Sequence, residues 1–159
     1  MMDRINAILR HPVFSEHLTR LETLEQTRLF CRHGLPHLLD VARMMWIATL
    51  EGRLSLEREV VYAAALLHDL GRVEQTEEGI PHHEAGASLA ARILPEAGFT
   101  EEEIRQIRSA IACHRSDGGD NTLGQLLYWA DKKSRVCRMC PARDECNWPD
   151  EKKNWEITR

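Results

Sequence analysis

Residues 63–72 read Ala63-Ala64-Ala65-Leu66-Leu67-His68-Asp69-Leu70-Gly71-Arg72, an apolar run that delivers an imidazole and a carboxylate side by side before a glycine. With Val60 and Val61 upstream the run is apolar nearly all round, so the spacing predicts a helix buried on every side. Ser55 is available to cap it and Gly71 to stop it. A histidine nitrogen beside a carboxylate oxygen suits a divalent metal, and the second carboxylate oxygen can serve a second metal. A lone His-Asp pair is more commonly a satisfied core pair, so the rest of the chain has to supply partners.

Outward from this helix the chain reads as helices throughout. Residues 3–10 and about 15–31 carry apolar residues at helical spacing, the second with Leu18, Leu21, Leu24 and Leu29. Cys31 to His37 breaks the pattern, and Pro36 suits the first turn of a helix running to about Glu51, which puts His37 at its start. Downstream, Arg72 to Ile80 is polar and reads as a loop over the site. Pro81 opens a helix that holds His82, His83, Gly86 and Ala87 and closes at Pro95 and Gly98. Thr100 and Glu103 form a capping box before Ile104, Ile107, Ala110 and Ile111, and this helix reaches about His114. Ser116 to Asn121 is a loop, and Thr122 with Gln125 forms a second capping box. The last helix carries Leu126, Leu127, Tyr128 and Trp129 into Asp131, whose carboxylate is costly there unless a cation or hydrogen bonds meet it. With no strand pair and no repeat, the fold is an all-α bundle of about six to seven helices.

The chain of 159 residues suffices for one domain with a core of its own. At a net charge of −4, an anionic substrate must be drawn by a local cluster or a metal, and binding of a nucleic acid polymer is not expected. No stretch approaches the ~20 apolar residues of a membrane span, and Met1 to Asn6 lacks a signal-peptide core, so a cytoplasmic location is expected. Five cysteines in that compartment are thiols or metal ligands rather than disulfides.

His37, His68, Asp69, His82 or His83, His114 and Asp131 all sit at the ends or inside of apolar helices, and several helices each delivering a His or Asp is what a dinuclear site requires. Through His37, the run Leu66-Leu67-His68-Asp69-Leu70-Gly71 and Tyr128-Trp129-Ala130-Asp131, residues 25 to 135 resemble the HD superfamily of metal-dependent phosphohydrolases. The resemblance implies an HD-type helical domain over residues 1–136. It implies one metal on His37, His68, Asp69 and Asp131, and in some members a second on two further histidines with the doublet Asp bridging. Here those two are His114 and one of His82 and His83. The family pattern places the histidine four residues before a Gly-Ala pair, and Gly86-Ala87 then favours His82. Helical neighbours diverge by ~100°, so only one of the two should face the metals. The family often has Lys where this chain has Arg72, and Arg also binds phosphate.

The implied cofactors are one or two divalent metals, from iron, manganese, magnesium, cobalt, nickel or zinc. A water bound there becomes a hydroxide near neutral pH and can attack phosphorus in line. Asp69, Arg72 and Arg115 are then the catalytic candidates, and Arg72, Arg115, Lys132 and Arg135 would hold the substrate's phosphate, with Lys132 and Lys133 equally readable as solvated surface. Cys113 reads as packed rather than reactive. The implied activity is hydrolysis of a phosphate ester or anhydride of a small molecule, a nucleotide first among candidates. A di-iron oxygenase with the same ligand set and a non-catalytic metal or redox sensor are the alternatives, and monomer and homo-oligomer are both open.

A Cys-rich extension, residues 137–159, packs on the same domain and holds Cys137, Cys140 and Cys146. The two-residue gap between Cys137 and Cys140 lets both grip one metal, and a turn at Pro141 returns Cys146. Cys31 is the proposed fourth ligand and His33 the runner-up: Cys31 lies six residues before His37 and Cys137 six after Asp131, so a shared metal at His37 and Asp131 puts both thiols on one side of it. Such a set suits a structural zinc or an iron–sulfur cluster, and unligated thiols or a redox pair are the alternatives.

Overall fold

The computed structural model describes residues 1–116 and 120–157. Its axis is α4 (Arg58–Leu67), in which seven of ten residues, from Val60 and Val61 to Leu67, are buried. Around it stand α1 (Asp3–Arg10), α3 (Leu35–Glu51), α6 (His82–Glu96), α7 (Glu101–Cys113) and α8 (Thr122–Lys133), while α2 (Pro12–Leu24) and α5 (Arg72–Glu77) complete one flank against α6. Leu38, Val41 and Met45 of α3, Leu66 and Leu67 of α4, Ile93 and Leu94 of α6, and Ile107 and Ile111 of α7 close the core. The all-α architecture is as the apolar spacing indicates, and the described residues contain no strand. Among the described residues no helix is long and apolar enough to cross a membrane.

Several local expectations need correction. The segment after the doublet is not a loop over its first residues: Arg72–Glu77 is helical, tied to the doublet turn by Gln75 N–H donating to Gly71 O. Helix α2 stops at Leu24 rather than near residue 31, since Leu29 is more than half exposed and its burial rewards no further turn. Ser55 does not cap α4, whose N-cap is Glu57 without a side-chain bond. Asn121, rather than Thr122, caps α8 by accepting from Gly124 N–H. The capping box of Thr100 and Glu103 is present with both bonds. Of the loop Ser116 to Asn121, Asp117, Gly118 and Gly119 lie outside the described residues, as do Thr158 and Arg159 of the tail.

Two glycines set the distance between α6 and the doublet. A Cβ on Gly71 would stand 2.2 Å from His82 O and 2.5 Å from Gly86 N, and one on Gly86 would stand 3.2 Å from His68 O. Glycine at both positions lets the start of α6 lie directly on the backbone of His68 to Gly71.

Candidate metal centre

Helix α4 ends at Leu67, and a tight turn through His68 and Asp69 aims both side chains inward; each is fully buried. His68 Nδ1 lies 2.7 Å from Ala65 O. A carbonyl oxygen only accepts, so Nδ1 carries a proton and Nε2 is the atom left facing the interior. His114, at the C-terminus of α7, is fixed in the same way by Ile111 O at 2.6 Å. His82, at the start of α6, donates from Nδ1 and from its backbone N–H to Gln75 Oε1, at 2.6 and 3.2 Å. Three imidazoles thus turn Nε2 to one interior space, each oriented by an acceptor behind it as metal-bound histidines are.

The carboxylates complete two groups. The donor atoms of His37, His68, Asp69 and Asp131 lie within 4.8 Å of one another, as do those of Asp69, His82 and His114. Asp69 belongs to both, through different oxygens. Its Oδ2 faces His68 Nε2 at 3.1 Å and His37 Nε2 at 3.6 Å, while its Oδ1 faces His82 Nε2 at 3.7 Å. Asp131 Oδ1 lies 3.3 Å from His37 Nε2.

This centre fits one or two divalent cations on its own chemistry. His68 Nε2 and Asp69 Oδ2 are buried without a hydrogen-bond partner, and unmet buried groups are costly. His82 Nε2 and His114 Nε2 stand 3.2 Å apart, with both protons on the far side of the rings. Two facing lone pairs repel unless a cation lies between or beside them. Burial, helped by the Arg72 charge, lowers His82 to about 3, and burial with the His68 charge lowers His114 to about 4, so both rings are neutral and free to ligate. Burial opposes charge on His68 too, but the Asp69 and Asp131 carboxylates outweigh it and raise His68 to about 9. Burial alone would raise the carboxyls, yet the neighbouring imidazoles, His68 above all for Asp69 and His37 for Asp131, hold both well below the usual carboxylate range. The pocket is therefore built for positive charge.

The HD-domain family model matches residues 35–136, well over half of the chain. This chain belongs to the HD-domain family. It is 43% identical over 156 residues, 98% of its length and 99% of the other, to a Clostridium beijerinckii protein described as uncharacterized. It is 30% identical over 108 residues to the bifunctional uridylyltransferase/uridylyl-removing enzyme of Cereibacter sphaeroides, which takes in 67% of this chain but 10% of that enzyme. The crystal structure titled a predicted HD superfamily hydrolase from an uncultured Thermotogales bacterium superposes with a TM-score of 0.67 over 90% of this chain and 80% of that one, at 22% identity, a likeness of fold.

In this HD domain the expected ligand positions converge, with one distinction at α6. His82 enters the second donor group, whereas His83 enters neither; its Nε2 points toward Glu84 at 4.0 Å and its ring is only half-buried, as a 100° step along a helix requires. Arg72 Nε donates to Asp69 Oδ1 at 2.7 Å. Lys132 Nζ pairs with Asp131 Oδ2, and Arg135 donates to His37 Nε2 at 3.0 Å. A cavity of about 570 Å³ opens on His33, His37 and Asp131, with Arg72, Lys132 and Arg135 in its wall. Arg115 is exposed and not part of that wall, and only its charge reaches the centre, at His82.

Three residues that support the HD centre are not assigned to it from the sequence, where His33 stands only as the runner-up ligand for the cysteines. Glu25 sits where α2 was expected to continue, yet it is buried and clamps His33, accepting from its ring Nδ1 at 2.6 Å and its backbone N–H at 2.7 Å. His33 in turn directs Nε2 toward Asp69 Oδ2 at 3.9 Å. Gln75 lies on α5 and His82 on α6, and only the turn between these two helices brings the amide behind the imidazole.

Proposed function

We propose that this HD protein is a metal-dependent phosphohydrolase acting on a phosphate ester or anhydride of a small molecule, with a nucleotide as the foremost substrate class. The observation that carries the reading is Asp69: one fully buried carboxylate with its two oxygens committed to two separate donor groups. Divalent metals held by His37, His68, Asp69 and Asp131, and by Asp69, His82 and His114, would supply an activated water and neutralise phosphate oxygens.

The chain's own residues do the rest. The cavity wall carries Arg28, Arg72, Lys132, Arg135, Arg143 and Lys153 against the carboxylates of Asp40 and Asp131, so an anionic group is favoured there although the whole molecule is acidic. Lys132 pairs with Asp131 and Arg135 stands beside His37 Nε2, so both bring cationic protons to the cavity for phosphate. The Glu25–His33 pair places an imidazole at the cavity edge, oriented by its carboxylate and held neutral by burial, where its Nε2 can accept a proton from a water or hydroxyl. The volume suits a small molecule. Likeness to an enzyme named for removing uridylyl groups supports a nucleotide.

The test is phosphate release from a panel of nucleoside mono-, di- and triphosphates, with manganese and without oxygen. Release that disappears in Asp69→Asn is the expected result. Turnover that requires ferrous iron and oxygen and releases no phosphate would replace the hydrolase by an oxygenase.

A further inference from the structure

The C-terminal extension lacks a core of its own. From Cys137 to Ile157 the buried residues are Cys137, Ala142 and Asn154, while Met139 and Ile157 are about four-fifths exposed. A segment of this length with so little apolar burial does not hold one conformation by the hydrophobic effect alone, and small structures of this kind are held by disulfides or metals. No disulfide joins its cysteines. Its thiols nonetheless gather. Three successive tight turns, with Cys140 N–H donating to Cys137 O, Arg143 N–H to Cys140 O and Cys146 N–H to Arg143 O, curl the chain so that the cysteines return to one side.

Cys31 arrives from the other end of the sequence. Arg135 donates to Arg32 O at 2.9 Å and Arg28 to Cys31 O at 2.9 Å, which fastens the turn before α3 to the chain after α8. Asn154 then pins the tail by donating to Lys132 O at 2.7 Å and Arg135 O at 3.0 Å. As a result Cys31, Cys137, Cys140 and Cys146 all line one cavity wall, near enough that the charge of each of the other three acts on Cys31. The fifth cysteine, Cys113, is on α7 and apart from that wall.

We propose that Cys31, Cys137, Cys140 and Cys146 together bind one soft metal centre, a zinc ion or an iron–sulfur cluster, separate from the HD centre. Four thiolates are the ligand set for either, and each thiol would give up its proton on binding the metal. The centre joins the turn before α3 to the extension and thereby fixes Arg143 and Lys153 in the cavity wall. It is structural: it supports the anion-binding wall and touches no reacting atom.

The experiment is elemental analysis for zinc and iron, with acid-labile sulfide, on the full chain purified without oxygen, in wild type, Cys31→Ser, Cys140→Ser and His68→Ala. The expected result is one thiolate-bound centre per chain, retained in His68→Ala and lost in both cysteine variants. Iron with sulfide identifies a cluster, and zinc without sulfide a single ion. Should the cysteine variants fail to fold, X-ray absorption at the zinc or iron edge of the His68→Ala protein counts the sulfur ligands directly, with four expected. Retention of the metal in Cys31→Ser, or a first shell of nitrogen and oxygen alone, overturns the assignment.

Discussion

Asp69 is held on one oxygen by Arg72 and faces His82 there, while its other oxygen is turned to His68 and His37 without a hydrogen bond. Asp69→Asn keeps the shape and removes the charge, so phosphate release should fall by at least about a hundredfold, with metal affinity reduced at both groups and the helical circular-dichroism signal retained. Asp131→Asn should empty chiefly the His37–His68 group, and His114→Ala chiefly the His82 group, as read by isothermal titration with manganese. Equal loss of both in each variant would mean a single coupled site. Gln75→Ala removes only the acceptor behind His82 and should weaken the second metal about 10- to 100-fold, whereas His83→Ala should leave both sites intact. The residues of the two donor groups stand out in the sequence because polar side chains at the ends of apolar helices contrast with their neighbours. Their supports do not: Glu25 and Gln75 lie in polar stretches where a buried and an exposed side chain look alike, and His33 reads toward the cysteines, whereas the fold pairs it with Glu25.

Among elements, the contact of α6 with the doublet turn decides whether the two donor groups meet. Gly71→Ala forces a Cβ into His82 O and Gly86 N, which are backbone atoms and cannot swing aside. The cost should be about 2 kcal/mol or more, a fall in Tm of about 4–8 °C for a chain of this length, accompanied by loss of the His82-dependent metal. An unchanged Tm would show that α6 has room to retreat. At the opposite end, Arg4 joins α1 to Glu59 of α4 at 2.7 Å and to Glu103 of α7 at 2.8 Å. Burial, the largest single influence, opposes ionisation of Glu103, but the Thr100 backbone N–H and Arg4 together outweigh it and lower its pKa. A lowered folded value means that the ionised group stabilises the protein above its unfolded pKa of about 4.5, and that this stabilisation fades as pH falls through the lower folded value. Glu103→Gln should thus cost under about 1 kcal/mol at pH 7 and less at pH 3, measured by urea unfolding at both values. Helix positions were legible from apolar spacing, but α5 was not, since its six residues bury only Val73 and their polar composition reads as loop.

For the whole molecule, the acidic net charge and the cationic cavity separate two effects: distant charges repel an anion weakly through salt, while the cavity and its metals hold it. Metal binding to the folded form should also stabilise the domain, because the buried Asp69, Asp131 and facing imidazoles lose their mutual repulsion. Manganese at a hundredfold excess over its Kd should add about 2.7 kcal/mol, and a chelator should reverse this; a Tm insensitive to both would argue that the cluster is not a metal site. The measurement closest to the central claim is anomalous diffraction at the manganese edge from crystals grown with that metal. Two peaks are predicted, one among His37, His68 and Asp131 and one between His82 and His114, with a carboxylate oxygen of Asp69 reaching each. Anomalous density only outside this cluster, or a bound ion that Asp69 does not touch, would contradict it.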